Sequence, residues 1–395
     1  MKSDVIVIGA GPGGSMAAKA AAESGLSVLL LEKRQEIGEP VRCAEGVSFR
    51  SELSELIQVQ PDWISREVHG VRMHSPNNDS ASIDVDGKGG GGGYILERKC
   101  FDRGLALQAA RSGARVLVKT RATGMVRKDG LWRVAACCRG ESLQIEAPLI
   151  IGADGIESKV ARWAKIGSGL SREDIMVCAQ YLVLEESLDQ DYCEFFFGNR
   201  IAPGGYAWIF PKGRGLANVG IGIQGSQSSP GAPRRLLDEF MQSRMPQAEI
   251  LQMVAGGIPT SGPISSTTSD GIMLVGDAAR QSDPLTGGGI INAIRAGIFA
   301  GETAGKAVPS GDTGRASLKE YEDRCKIAID KQVERRYHAK NLFLKLTDND
   351  LNNLIGSLHG KDLTTMNTRS LMSVLFKQNP RMLWRLGVSN LIERL

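Results

Sequence analysis

Gly9-Ala10-Gly11-Pro12-Gly13-Gly14 places glycines at the three positions of a GxGxxG turn, after the apolar run DVIVI at 4–8 and before an alanine-rich segment from Ser15 to Ser24. That setting gives each glycine a task. Gly9 permits a tight strand-to-helix turn, Gly11 lets backbone N–H groups approach a pyrophosphate, and Gly14 lets helix and strand pack closely. The helix N-terminus carries partial positive charge that favours the phosphates. Glu32, at the end of the next strand, Val28 to Leu31, can accept hydrogen bonds from ribose hydroxyls. A second match to the pattern, Gly220 to Gly225, lies inside an alternating strand and runs into SQSSPGAP, which cannot open a helix. It reads as sheet, so no built-in nicotinamide domain is expected.

Two later motifs choose the nucleotide. Gly152-Ala153-Asp154-Gly155 follows one short apolar strand; Gly276-Asp277-Ala278-Ala279 follows another, IMLV at 272–275, and precedes Asp283, Pro284 and the glycines at 287–289. Asp277 can accept a hydrogen bond from a ribityl hydroxyl. Gly288, Gly289 and a helix starting near Ile290 can bring N–H dipoles to a flavin ring, where the reduced form gathers negative charge. In this order the three motifs resemble the fingerprints of the flavoprotein hydroxylase superfamily, which implies FAD.

Within that superfamily, PVRCAEG at 40–46 and PGGYAWIFPKG at 203–213 resemble signatures of geranylgeranyl reductases. YILER at 94–98 with Phe101-Asp102, and LTDNDLNNLI at 346–355, resemble the archaeal members, and the likeness runs from end to end. It implies FAD contacts at Gly14, Glu32, Cys43, Ala44, Gly46, Arg98, Ala122, Asp277, Gly289 and Ile290, to which the fingerprints add Gly9, Gly11, Asp154 and Gly288. The implied reaction saturates C=C bonds of geranylgeranyl chains in an archaeal membrane glycerolipid precursor, with hydride from reduced flavin and a proton added to the other carbon. The proton would come from Cys43, Tyr206 or a bound water. The neighbouring Arg42 would favour a Cys43 thiolate; the same residue also reads as a small side chain packed against the flavin. Tyr206, Trp208 and Phe210 alternate on one strand and share a face, which suits a polyprenyl chain or an ordinary sheet core. The Arg98 guanidinium suits the cofactor's phosphates or hydroxyls, or is a surface charge after a strand. Without a nicotinamide domain, electrons are expected from a docking donor such as ferredoxin or from NADPH.

Two rival readings stay open. One is a flavin-dependent monooxygenase or halogenase: Tyr206-x-Trp208-x-Phe210-Pro211 has the WxWxIP spacing of halogenases, although Tyr and Phe replace the first Trp and the Ile. The other is a non-catalytic flavin carrier serving a membrane quinone partner.

The elements that must position these residues follow from the pattern. An α/β fold is expected, with a Rossmann-type FAD-binding domain from 1–60, 96–165 and 269–310. A mostly antiparallel substrate domain is expected from 61–95 and 166–268, and a helical C-terminal domain from 311–395. A hairpin is expected over 81–98, with Ile83 and Val85 on one strand, glycines 89–93 at the tip and Tyr94 to Leu96 on the other. The 48 glycines among 395 residues fit a backbone that approaches a ligand in several places. A net charge of +4 without basic stripes argues against a nucleic-acid partner. Seven cysteines without CxxC spacing and four histidines suggest no metal site. No apolar run approaches the roughly 20 residues needed to span a bilayer, and the first residues run straight into a strand without a signal peptide. A cytoplasmic protein is expected, with peripheral contact at the inner membrane face through the basic and apolar tail from Ser370 to Leu395.

Overall fold

Val5–Ile8, Val28–Leu31, Arg115–Leu117, Leu149–Gly152 and Ile272–Leu274 pair as a parallel sheet, with Thr268–Ser269 antiparallel at one edge. The computed structural model in which they are seen describes residues 1–358 apart from 49, 85–91 and 168. Across the sheet the order is 268–269, 272–274, 149–152, 5–8, 28–31, 115–117. Its inner strands are apolar at nearly every position because both faces are covered. Val5 and Val7 face the alanines of helices Pro12–Glu23 and Ile290–Ala307. Ile6 and Ile8 face a three-stranded antiparallel sheet, Thr120–Lys128, Leu131–Cys138 and Glu141–Ala147, through Trp132, Val134 and Ile145. The two helices meet at backbone distance: a Cβ added to Gly297 would lie 2.2 Å from the Gly13 carbonyl oxygen.

These elements make up one of two compact units, Met1–Val41, Glu97–Asp174 and Ile258–Tyr337. The other holds Arg42–Leu96, Ile175–Gly257 and the described residues from His338. The division thus falls after Val41 rather than near residue 60. The helical region expected to stand apart is shared out. Tyr321, Cys325 and Ile329 recur every fourth residue and bury one helical face in the core of the first unit, while Asp348–Gly356 packs Ile355 against Ala81 in the second.

The second unit is built on a seven-stranded, mostly antiparallel sheet. Its order is Glu249–Pro259, Ile175–Leu184, Leu216–Gln224, Tyr206–Gly213, Tyr192–Phe196, Gly70–His74, Ser80–Asp84. Ala207, Ile209, Val219 and Ile221 on one face pack against Leu237, Phe240 and Met241 of helix Ala232–Arg244. A small sheet places Gly93–Leu96 between Gly46–Val47 and Ile64–Val68.

The hairpin expected over 81–98 does not form. Ser80–Asp84 pairs with Gly70–His74 in the large sheet, and Gly93–Leu96 belongs to the small one. Alternation marks a strand but not its partner. The partner is set by the turn before it, where the Ser75 N–H donates to the Asp79 carbonyl at 2.9 Å and Asn78 adopts φ 70°. Val85 and the glycines at 89–91 lie outside the described residues, as does the basic and apolar tail.

Candidate cofactor and substrate sites

Residues far apart in sequence converge at the carboxyl ends of four adjacent parallel strands. Ile272–Leu274 leads to Asp277, Leu149–Gly152 to Asp154, Val5–Ile8 to the turn at Gly9, and Val28–Leu31 to Glu32. The chain builds the sheet outward in both directions from Val5–Ile8, a reversal that opens a ligand crevice at this end. Gly9 has φ +105°, and a Cβ there would lie 2.3 Å from the Ala153 carbonyl oxygen. A Cβ at Gly14 would lie 1.9 Å from the Gly9 oxygen. Beside Gly11 there is nothing within 4 Å of an added Cβ, which leaves room for a phosphate. Helix Pro12–Glu23 starts there with proline in its first turn, no side-chain cap and no acidic residue. Helix Ile290–Ala307 likewise starts at Gly289 without a side-chain cap or acidic residue in its first turn. Both helix starts therefore offer N–H groups and partial positive charge to an anion.

The carboxylates are held differently from one another. Glu32 accepts the Ala10 N–H at 3.0 Å and the Arg34 N–H at 2.9 Å, which fixes it against the glycine turn with lone pairs to spare. Ala122 is buried two residues beyond Thr120, whose N–H donates to the Glu32 carbonyl at 2.8 Å. Asp154 accepts the Ser158 hydroxyl at 2.6 Å and the N–H groups of Lys159 and Val160 at 2.7 and 3.1 Å. It thereby caps the short helix Lys159–Trp163, a local duty the motif alone does not reveal. Arg98 spends two donors on Asp102, each at 2.8 Å, inside the first turns of helix Arg98–Arg111. Burial pushes the Asp277 carboxyl up to about 6, and the Arg98 charge pulls the other way. Asp277 Oδ1 is 3.5 Å from where a Gly289 Cβ would stand, so the carboxylate and the start of helix Ile290–Ala307 are neighbours. Gly288 closes the preceding loop by accepting the Asp283 N–H at 2.7 Å. Uncapped helix starts, a glycine cradle and carboxylates at the strand ends together fit FAD.

In the second unit Tyr206, Trp208 and Phe210 are buried on the sheet face opposite helix Ala232–Arg244. Tyr206 meets Trp208 edge-on at 6.0 Å, and Phe195 of the next strand meets Tyr206 and Phe210 at 5.4 and 5.3 Å. The second GxGxxG match forms part of strand Leu216–Gln224, where Gly220 seats the indole. A Cβ there would lie 2.2 Å from Trp208 Cζ2.

Three polar side chains tie the segment carrying Cys43, Ala44 and Gly46 to this face. Trp208 Nε1 donates to Gln180 Oε1 at 3.2 Å, and Gln180 Nε2 donates to the Cys43 carbonyl at 3.1 Å. Asn218 Nδ2 donates to the Ala44 carbonyl at 3.2 Å and to Glu45 Oε2 at 2.7 Å. Lys212, the extra residue of a bulge between Pro211 and Gly213, forms a buried ion pair with Glu45. Glu45 itself adopts φ 71°. Gly46 sits under Phe210, with an added Cβ 2.9 Å from Cε2. The Cys43 sulfur accepts the Glu45 N–H at 3.2 Å, whereas burial pushes the Cys178 thiol up to about 12. Gln180, Asn218 and Lys212 were not found by sequence reasoning. Their common face follows from strand register, which the sequence does not display.

The chain matches the family model of the FAD binding domain over residues 2–195 and that of the geranylgeranyl reductase catalytic domain over 174–258. A crystal structure of a geranylgeranyl bacteriochlorophyll reductase-like protein from Thermoplasma acidophilum is similar at a TM-score of 0.91 and 37% identity, covering 98% of each chain. A flavin-dependent halogenase shares the fold at a TM-score of 0.69, with 16% identity over 98% of this chain and 79% of its own. The digeranylgeranylglycerophospholipid reductase of Methanothrix thermoacetophila is 55% identical over 98% of this chain and 99% of its own length. The fold is that of the flavoprotein hydroxylases, the cofactor is FAD, and the chain belongs to the digeranylgeranylglycerophospholipid reductase family of FAD-dependent oxidoreductases.

Proposed function

We propose that this protein saturates the C=C bonds of geranylgeranyl chains in archaeal membrane glycerolipid precursors. The observation that carries the reading is the buried aromatic face of Tyr206, Trp208 and Phe210, to which the Cys43 segment is tied by Gln180, Asn218 and Lys212. It agrees with the substrate named for the Methanothrix relative. Reduced FAD supplies the hydride. The aromatic rings hold an apolar chain by burial and keep water from it. Cys43 and Tyr206, with a bound water as the alternative, are the candidates for delivering the proton to the other alkene carbon. Electrons reach the protein from a docking donor such as ferredoxin or from NADPH. The substrate's membrane origin calls for peripheral contact at the inner face of the membrane; no described helix is long and apolar enough to cross it.

The test is anaerobic. Protein reduced with dithionite is expected to be reoxidised by geranylgeranyl glycerolipid, with a gain of two hydrogens per bond in the product mass. Reoxidation by oxygen alone, with the lipid recovered unchanged, refutes the reading in favour of a carrier or oxygenase. Cys43→Ala with full turnover removes the Cys43 side chain from proton delivery and leaves Tyr206 or water.

A further inference from the structure

Asp277 stands on a short turn, Gly276–Ala279, flanked by two left-handed residues, Gly276 at φ +66° and Arg280 at φ +55°. An arginine in that region is unfavourable by itself, so the turn must be held from outside. Gln281 holds it at two points. Its backbone N–H donates to the Gly276 carbonyl at 3.1 Å, and its side-chain Oε1 accepts the Gly276 N–H at 2.7 Å.

The other end of the Gln281 amide is committed too. Nε2 donates to the Tyr321 hydroxyl at 3.3 Å and lies 3.5 Å from Cys325 Sγ. The Tyr321 hydroxyl donates in turn to the Leu274 carbonyl, on the strand that leads into the turn. The Gln281 carbonyl accepts Asn292 Nδ2 at 2.8 Å, which links the turn to the first coil of helix Ile290–Ala307. Gln281 is 1% exposed, and Tyr321 and Cys325 are fully buried. A buried amide with both ends satisfied fixes its neighbours in one arrangement.

We propose that Gln281 and Tyr321 are positioning residues for FAD, locking the turn that bears Asp277 to the start of helix Ile290–Ala307 so that carboxylate and N–H dipoles face the cofactor as one unit. The inference rests on the FAD reading of this site. It is tested by a double-variant cycle on FAD affinity, read from quenching of FAD fluorescence. Asp277→Asn and Gln281→Leu are each expected to weaken FAD binding at least tenfold. The combined variant should lose clearly less than the product of the two single losses, because part of the clamp's effect passes through that carboxylate. Multiplying losses, or wild-type affinity in Gln281→Leu, overturn the proposal. Tyr321→Phe keeps the ring in the core and runs the same cycle if Gln281→Leu fails to fold. If Asp277→Asn binds FAD as tightly as the wild type, the assignment of Asp277 fails and the clamp falls with it. A clamp failure alone leaves the Asp277 loss intact.

Discussion

Burial sets the Asp277 carboxyl at about 6, against the pull of Arg98. The fold therefore favours the protonated form more than the unfolded chain does. That stabilisation is full below the ordinary carboxylate range and is lost as pH rises through about 6. Above it the ionised group costs at most about 3 kcal/mol. A hydroxyl donating to Asp277 reverses the preference, so FAD binding should expel a proton. FAD affinity is expected to fall as pH drops below about 6, by up to tenfold per unit, and Asp277→Asn should bind weakly at every pH; fluorescence titrations between about pH 5 and pH 8 check both. At this scale the sequence supplies residue types in motifs but not the local partners they take, as Asp154 and Arg98 show. Each carries a motif position yet gives its charge to a local partner, Ser158 with its helix start and Asp102 respectively, and such partners depend on backbone direction rather than residue type.

Glycines that look alike in the sequence have opposite surroundings once the elements are packed. Gly14→Ala would drive a methyl into the Gly9 carbonyl and is expected to abolish both FAD binding and a normal melting transition. Gly11→Ala meets open space, and the extended backbone of Gly11, with φ −72°, is open to any residue, so its melting curve should match the wild type while FAD affinity falls at least tenfold. Gly220→Ala displaces the Trp208 indole and should raise the KM for lipid with little change in FAD content, visible also as a shift in tryptophan emission. The buried Lys212–Glu45 pair predicts a fourth outcome. Lys212→Met removes an ammonium that a buried carboxylate needs, at a cost of roughly 3–5 kcal/mol, and Glu45→Gln in the same chain should recover much of it; denaturant unfolding measures both. The glycine turns were legible because each is consecutive in sequence and sits at a strand end. The Lys212–Glu45–Asn218 set was not, since it spans three segments joined only by sheet register.

For the molecule as a whole, acid stability leans on groups such as Glu322. Burial opposes its charge, but the hydroxyls of Ser266 and Thr268 and the N–H groups of Thr267 and Thr268 outweigh burial and hold the carboxyl below its usual range. Its contribution is present above the ordinary carboxylate pKa and is lost as pH falls, so Glu322→Gln should unfold at higher pH than the wild type when followed by circular dichroism. Near neutral pH bound FAD should add about 2.7 kcal/mol at a free concentration 100 times Kd, a margin that shrinks in acid as its affinity falls. The Rossmann-type sheet was readable at this scale, from apolar runs followed by glycine. The boundary at Val41 was not, because no change of composition marks it. The sheet order has a consequence in time. Val5–Ile8 pairs with Leu149–Gly152, which pairs with Ile272–Leu274, so the strands that frame the cofactor crevice leave the ribosome far apart. At about 5–20 residues per second, the first strand waits tens of seconds for the strand that leads to Asp277. Until then the nascent chain exposes an unpaired apolar strand edge, and the cofactor crevice stays unfinished until the strand that leads to Asp277 has emerged.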